Sequence, residues 1–166
     1  MPLLFEITCF IAVVAGGLVA GIFLAFSDFL MRSFDRSATV AGAEVMQVIN
    51  REVFRTLFMV MFIGLVPLSM LLAVGAVFYT DGAARWFVIA GGASYIVGVF
   101  GVTAAGNVPM NNRLDGMDHT TEDAATYWKN TYIPRWTRFN TFRTIMCIVA
   151  TVCWLLALRQ LGSPVA

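Results

Sequence analysis

Long apolar stretches dominate the pattern of this sequence. Residues 7–26, 58–78 and 86–106 contain no charged side chain, and a fourth apolar stretch lies between Arg143 and Arg159. Such runs suit helices, which need about 20 residues to cross the hydrocarbon core, whereas barrel strands alternate polar and apolar residues over about half that length. The pattern therefore predicts an all-α membrane protein. We expect a four-transmembrane-helix bundle in one integral membrane domain, 1–166, with spans at about 5–27, 56–79, 85–106 and 141–160.

The fourth span differs from the others because an arginine bounds it at both ends. Its uncharged run, 145–158, supplies only about 21 Å of helix, and the hydrocarbon core is about 30 Å thick. A full crossing therefore draws Arg143 or Arg159 to the membrane boundary, where an arginine needs an acceptor. We expect Asp28 or an amide carbonyl such as that of Asn107 to pair with Arg143. A structural clamp and an anion-binding role are equally open for this arginine.

The connections between the spans are unequal in length. Residues 79–85 form a short turn, so the second and third spans should be antiparallel neighbours. The long connection 27–57 predicts an amphipathic helix that runs into the second span, because its polar and apolar residues repeat at helical spacing. Its polar stripe consists of Glu44, Gln47, Arg51 and Arg55, and its apolar side of Val45, Ile49 and Val53.

The second long connection, 107–142, also predicts an amphipathic helix. Thr120 and Asp123 have the spacing of a capping box, which marks a helix start. We expect this helix to carry Tyr127 and Trp128 and to end near Pro134, since proline interrupts the backbone hydrogen bonds of a helix.

Positive charge sets the predicted orientation. Of the 11 lysines and arginines, only Arg85 and Arg159 lie away from the two long connections and their edges. By the positive-inside rule, the long connections are cytoplasmic and both the N- and C-termini are outside.

Composition narrows the class of protein and of partner. Hydrophobic residues make up 59% of the chain and charged residues 13%, whereas a soluble domain is about a quarter charged, so the expected surroundings are a lipid bilayer. A formal charge of +1 without a basic run gives no reason to expect nucleic acid as a partner. The three cysteines lie in apolar runs without a CxxC motif, which is typical of buried packing thiols. With His119 as the single histidine, we expect no metal site and no haem.

Polar residues converge at the long-connection end of the predicted bundle, because two spans end there and two begin there. A pocket among them would suit a flat, weakly polar molecule held between aromatic rings and addressed by amides and a guanidinium. The alternatives are that the asparagines cap helix ends and that Trp128, Tyr132 and Trp136 form an interfacial aromatic belt. The converging residues are Ser27, Asp28, Gln47, Asn50, Arg51, Asn107, Asn111, Asn112, Trp136, Arg138, Asn140 and Arg143.

Several segments resemble the anthrone-oxygenase-like family of small four-helix membrane proteins. They are Gly21-Ile-Phe-Leu-Ala-Phe-Ser-Asp28, Met46-Gln-Val-Ile-Asn50, Phe100-Gly-Val-Thr103, Asn107-Val-Pro-Met-Asn111 and the residues Trp136, Asn140 and Arg143-Thr144. Most bacterial members have no assigned reaction, and fungal members oxidise anthrones to anthraquinones. The resemblance therefore implies a bacterial inner (plasma) membrane protein. Family members often have histidine after the asparagine of the last motif, but Thr141 follows Asn140 here, so a histidine base is not implied.

The resemblance implies a cofactor-independent oxygenase reaction on a lipophilic aromatic compound, anthrone- or quinol-like. An anthrone is a carbon acid whose enolate reacts with dioxygen, so a protein need only promote deprotonation, hold the planar anion and exclude water. We expect Arg143 and Asn107 to stabilise the oxyanion and Asp28 to be the candidate base, as the catalytic set. The expected substrate-binding set is Asn50, Asn111, Trp136 and Asn140.

A non-enzymatic role is the alternative hypothesis. Gly17 and Gly21 form a GxxxG motif, and Ser94 and Gly98 form a second pair of small residues at the same spacing. Such pairs let helix backbones approach closely. They are typical of a homo-oligomer, of an accessory subunit in a larger membrane assembly, or of a component that binds quinone or lipid.

Overall fold

The computed structural model describes residues 3–161, and within them it contains five helices and no strand. The predicted positions of the two chain ends concern residues 1–2 and 162–166, which lie outside the described residues. The helices are α1 (Leu3–Arg36), α2 (Thr39–Glu52), α3 (Leu57–Tyr79), α4 (Gly82–Asp115) and α5 (Glu122–Leu161).

Four of these helices, α1, α3, α4 and α5, are long and apolar enough to cross a membrane, which confirms the predicted helical membrane bundle. The predicted spans lie inside them or within a residue of their ends, but α1, α4 and α5 continue well beyond the predicted boundaries. A helix of 34 residues is about 51 Å long, so these three extend past a hydrocarbon core of about 30 Å. Many polar residues of the long connections therefore lie on continuations of the spanning helices, whereas those of residues 39–52 lie on the separate helix α2.

Wide π-helical turns interrupt each of the three extended helices near the long-connection end. They occupy Phe26–Leu30 in α1, Ser94–Gly101 and Thr103–Asn107 in α4, and Trp128–Tyr132 in α5. A π turn inserts an extra residue and changes which side chains face the neighbouring helix, and such turns occur frequently at functional sites.

The amphipathic helix of the first connection forms as α2, but two details of its prediction were wrong. Gln47 lies on the buried face, where its amide donates to the carbonyls of Leu114 and Met117, while Val45 is exposed. The helix also does not continue into α3. A short 3₁₀ turn follows it, and Thr56 is extended and caps α3 by accepting from the backbone N–H of Met59.

The predicted start and end of the helix in the second connection were also wrong. Thr121 caps α5 by accepting from the Ala124 N–H, because Thr120 is occupied by Asp118. The Asp118 carboxylate accepts from the hydroxyl and the N–H of Thr120, and these hydrogen bonds lower the pKa of the Asp118 carboxyl. The helix continues through Pro134, since the π turn just before it relieves the clash of the ring with the preceding turn.

Close packing around Trp154 holds the short-turn half of the bundle together. The ring is fully buried against Gly16 of α1 and Gly91 of α4, and a Cβ atom at Gly91 would lie 2.6 Å from the indole nitrogen. Gly98, from the predicted small-residue pair in α4, packs in the same way on Met146. At the GxxxG glycines, by contrast, a Cβ atom on Gly17 or Gly21 would meet no atom of the described residues within 4 Å.

Candidate functional site

Arg143 lies buried in α5 between three helices at the long-connection end of the bundle. Its side chain donates from Nη2 to Asn140 Oδ1 at 2.7 Å and from Nη1 to Thr103 Oγ1 at 2.9 Å. The residue is 5% exposed, and no carboxylate among residues 3–161 forms an ion pair with it. An amide carbonyl does accept from Arg143, as expected, but it belongs to Asn140 and not to Asn107, and Asp28 is not a partner.

Asn140 connects α5 to α1. Its amide nitrogen donates to the carbonyl of Phe23 and to Ser27 Oγ, both at 2.7 Å, while its carbonyl oxygen accepts from Arg143. The carbonyl of Phe23 is available because the π turn that begins at Phe26 disrupts the regular pattern of backbone bonds. Asn140 is thus a buried hydrogen-bonded bridge and does not cap a helix end.

Aromatic rings enclose the Arg143 guanidinium. Its Cζ atom lies 4.3 Å from the ring centre of Phe23 and 5.5 Å from that of Trp136. Cation–π attraction of this kind is strongest where water is excluded. The site therefore holds a positive charge in an apolar, aromatic shell.

The expected aromatic belt was wrong. Trp128, Tyr132 and Trp136 are buried and stack on one another along α5, with ring centres 5.2 and 6.2 Å apart and nearly parallel planes. Their four-residue spacing places them on one helix face, and that face turns toward α4 rather than toward lipid or water. The three rings form one wall of the site.

Asn111 fixes this wall to α4. Its carbonyl oxygen accepts from the Tyr132 hydroxyl at 2.8 Å and from the Trp136 indole nitrogen at 2.9 Å. One turn earlier, the Asn107 amide donates to the backbone carbonyl of Trp136 at 3.3 Å. Asn50 comes from α2, and its amide lies close enough to the Tyr132 hydroxyl to interact with it. The structure therefore brings together six of the seven predicted residues: Asn50, Asn107, Asn111, Trp136, Asn140 and Arg143.

Besides the Trp128 indole nitrogen in the aromatic wall, three buried polar atoms around Arg143 have no hydrogen-bond partner among the described residues: Arg143 Nε, Asn107 Oδ1 and Asn50 Nδ2. An unpaired buried polar atom costs about 1–3 kcal/mol, so native proteins contain few of them. Here three occur in one cluster. They include a hydrogen-bond donor on a positively charged group, Arg143 Nε, and an acceptor, Asn107 Oδ1. A ligand with an oxyanion and a hydroxyl group would satisfy the first two.

Asp28, the predicted base, lies apart from this cluster. Its carboxylate pairs with Arg32 one turn later, at 3.0 Å, and its side chain is 66% exposed. The neighbouring residue Ser27 faces Asn140, so the chain direction at the π turn carries the carboxylate to the opposite side of α1. A role as base requires Asp28 to leave Arg32.

Two surface grooves lie beside the cluster at the same end of the bundle. The larger, of about 450 Å³, lies between α1 and α5 and reaches Thr141, whose hydroxyl bonds to Ser27 at 3.1 Å. Ser27 in turn bonds to Asn140, so this groove borders the hydrogen-bond network of Arg143. The smaller groove, of about 250 Å³, lies between α4 and α5.

Sequence reasoning missed Thr103 and Phe23 as site residues. Thr103 precedes Asn107 by one helical turn, and this spacing signals a shared face. Phe23 gives no such signal, because a phenylalanine inside an apolar run resembles any other packing residue. Residues 3–161 contain no group of three or more His, Cys, Asp or Glu side chains that could hold a metal ion. The absence of a metal site stays a prediction.

Comparison with known proteins places this arrangement in a family. The family model described as anthrone oxygenase matches residues 54–153, which include Asn107, Asn111, Trp136, Asn140 and Arg143. No curated protein and no solved structure matches the chain. The match covers more than half of the sequence, so the chain belongs to the anthrone oxygenase family.

Proposed function

We propose that this protein is a membrane-embedded oxygenase that oxidises a lipophilic aromatic compound, anthrone- or quinol-like, at the Arg143 cluster. The observation that carries the proposal is the buried Arg143 guanidinium, enclosed by Phe23 and Trp136 and without a carboxylate partner in the described part of the chain. Ionisable residues inside membrane segments are costly and are usually functional. A planar aromatic anion would supply the missing negative charge.

The proposed reaction uses dioxygen as its oxidant. Anthrone and dioxygen give anthraquinone and water: a methylene C–H bond breaks and its proton leaves, and the resulting enolate carbon forms a bond to dioxygen. The remaining C–H bond of that carbon then loses its proton as the O–O bond of the protonated peroxide breaks, so that water leaves and the new carbonyl forms. The carbon is oxidised and dioxygen is reduced, so the atoms and electrons balance without a further reductant, and the proposal includes no cofactor.

Arg143 has the main role in this scheme. Its unpaired Nε–H is positioned in a site from which water is excluded, where a donor stabilises a developing oxyanion far more than it does in water. Asn107 Oδ1 would accept a hydroxyl group of the same substrate. The oxyanion interaction makes the substrate a stronger carbon acid, so a weak base suffices: either water at the membrane face or Asp28 after release from Arg32.

The proposal includes an orientation and an entrance. The long connections, with their excess of arginine, would face the cytoplasm. The larger groove between α1 and α5 would admit the substrate from the membrane boundary, since it borders the Ser27 and Asn140 bonds that lead to Arg143.

Oxygen uptake by the purified protein tests the proposal. With an anthrone as substrate, we expect one dioxygen consumed for each quinone formed, at a rate well above that in detergent buffer alone. Arg143→Gln should lower kcat/KM by about a hundredfold, as loss of one oxyanion donor typically does. Lys129→Gln, on the same helix but exposed and outside both grooves, is the matched control and should keep full activity. Equal rates with and without protein, for anthrones and quinols alike, would overturn the oxygenase assignment.

A second candidate, an accessory or quinone- or lipid-binding subunit, is favoured by one observation. Gly17 and Gly21 have open space where a neighbouring helix would pack, as in a GxxxG contact with another chain. Purification in mild detergent distinguishes the candidates. A copurifying membrane protein that Gly17→Leu removes would support the subunit role, and a chain that is active without any partner would exclude it.

A further inference from the structure

The smaller groove between α4 and α5 has a different character from the Arg143 site. Each wall is a row of residues on one helix, called a stripe here, in which successive turns contribute residues three or four positions apart. The stripe on α4 consists of Ala105, Gly106, Pro109, Met110 and Arg113, and that on α5 of Tyr127, Thr131, Arg135 and Phe139. No carboxylate lines the groove.

The two arginines of this groove lack acidic partners. Neither Arg113 nor Arg135 forms an ion pair with a carboxylate in the described chain. Arg113 is nevertheless held in place, because its guanidinium lies 4.3 Å from the ring centre of Tyr127. The Tyr127 hydroxyl is itself fixed by the backbone carbonyl of Met110 at 3.4 Å. The groove therefore presents a positioned positive charge that the chain does not neutralise.

Polarity changes along the length of the groove. Ala105, Gly106 and Phe139 lie toward the middle of the spans, whereas Arg113 and Arg135 lie toward the long connections. Gly106 and Arg113 are seven residues apart, or about 10 Å along a helix. A Cβ atom at Gly106 would lie 3.1 Å from the Phe139 ring, so glycine lets this ring pack closely on α4 at the apolar end. Such a groove suits an amphiphile with an anionic head and an apolar tail.

We propose that this groove binds an anionic phospholipid, with the phosphate between Arg113 and Arg135, a hydrogen bond from Thr131, and an acyl chain along Gly106 and Phe139. Basic pockets between transmembrane helices at the membrane boundary recognise lipid head groups in this way. Charge complementarity selects an anionic head over a zwitterionic one, because a choline group would bring a third positive charge to the arginines. The site would be a lipid site on the outer surface of the bundle. It does not rest on the oxygenase proposal, since Arg143 and Asn140 are not part of it.

Native mass spectrometry of the full chain tests this site. The protein is transferred from micelles that contain equimolar phosphatidylglycerol and phosphatidylcholine, and the retained lipids are counted. We expect phosphatidylglycerol to be retained roughly tenfold more than phosphatidylcholine, and the double variant Arg113→Gln/Arg135→Gln to lose this preference. The matched control Arg36→Gln/Arg55→Gln removes the same charge from the same end of the bundle and should keep the preference for phosphatidylglycerol.

Three outcomes would overturn the proposal. The first is equal retention of the two lipids by the unmodified chain, which needs no variant to fold. The second is an equal loss in the control variant, which would indicate general attraction to a basic surface. The third is displacement of phosphatidylglycerol by excess inorganic phosphate, which would assign the groove to a free anion instead of a lipid.

Discussion

Two buried or half-buried arginines at opposite ends of the bundle show how differently the same side chain can be used. Arg85, beside the short turn, donates to the carbonyl of Thr80 at 2.6 and 3.0 Å, to that of Val77 at 3.2 Å, and to the Asp81 carboxylate at 3.0 Å. Arg143, at the long-connection end, is buried more deeply but has two neutral partners and an unpaired Nε. A side chain that is bound on all sides stabilises the fold, whereas one with an unused donor can bind a ligand.

The difference arises from where the partners come from. Every acceptor of Arg85 lies within eight residues of it, at the carboxyl end of α3, where free carbonyls and the helix dipole attract a cation. Arg143 depends on α4 for Thr103, and Asn140 must be fixed by α1. The first arrangement is local, and the second exists only after three helices have packed.

The largest expected effect comes from exchanging the two arginines in turn for glutamine. Arg143→Gln should lower kcat/KM by about a hundredfold with little loss of stability, because it also removes a buried, partly unpaired charge. Arg85→Gln should leave kcat/KM within about twofold and lower the free energy of unfolding by about 1 kcal/mol, since it removes the cap of α3. Oxygen uptake and thermal unfolding, measured on both variants, check the contrast. An equal loss of activity in both variants would contradict the distinction between a structural Arg85 and a ligand-binding Arg143.

A smaller effect is expected from packing in the short-turn half. Gly91→Ala places a methyl group 2.6 Å from the Trp154 indole nitrogen and 3.1 Å from the Ala150 carbonyl, so α4 must move away from α5. We expect the free energy of unfolding to fall by about 2–3 kcal/mol. Gly17→Ala adds the same methyl group in open space and is the control. Equal stability of the two variants in a denaturant titration would contradict the tight contact at Trp154.

The polar half should respond to loss of a hydrogen-bond acceptor. Asn111→Ala leaves the Tyr132 hydroxyl and the Trp136 indole nitrogen without their partner, at an expected cost of about 1–2 kcal/mol. Tryptophan emission should shift as the aromatic stack loosens. Asn112→Ala, the exposed neighbouring residue, should change neither stability nor emission. An unchanged spectrum in Asn111→Ala would show that the stack does not depend on this amide.

The smallest effect is expected at Asp28. Because its carboxylate is exposed and paired with Arg32, Asp28→Asn should lower kcat/KM by less than about fivefold. Arg32→Gln releases the carboxylate and should not lower activity. A fall of a hundredfold or more in Asp28→Asn, together with loss of the acidic limb of the pH profile, where a base becomes protonated, would instead identify Asp28 as the base.

Sequence reasoning predicted which polar residues lie together better than it predicted their contacts. Arg143 and Asn140 stand out because a polar residue in a short, arginine-bounded span must find a partner inside the bundle. The identity of that partner did not follow, since apolar runs do not indicate which helix faces meet. Thr103 and Asp28 illustrate the point: the first was overlooked, and the second was assigned to Arg143.

The π turns account for much of what the sequence did not show. The predicted helix end near Pro134 separated Trp136 from Trp128 and Tyr132, whereas in the structure the three rings share one face of a helix that includes the π turn at Trp128–Tyr132. The same turn lets α5 continue through Pro134, where proline alone predicted an end. The four spans were predictable because they require only length and hydrophobicity.

The central claim is that Arg143 stabilises an aromatic oxyanion, and an absorption spectrum of bound anthrone without oxygen tests it most directly. In the absence of dioxygen the enolate cannot react further and accumulates on the protein. We predict the long-wavelength absorption of the enolate at a pH where free anthrone is still neutral, and its loss in Arg143→Gln but not in Lys129→Gln. Bound anthrone that shows only the spectrum of the neutral ketone, the same in all three proteins, would contradict the account.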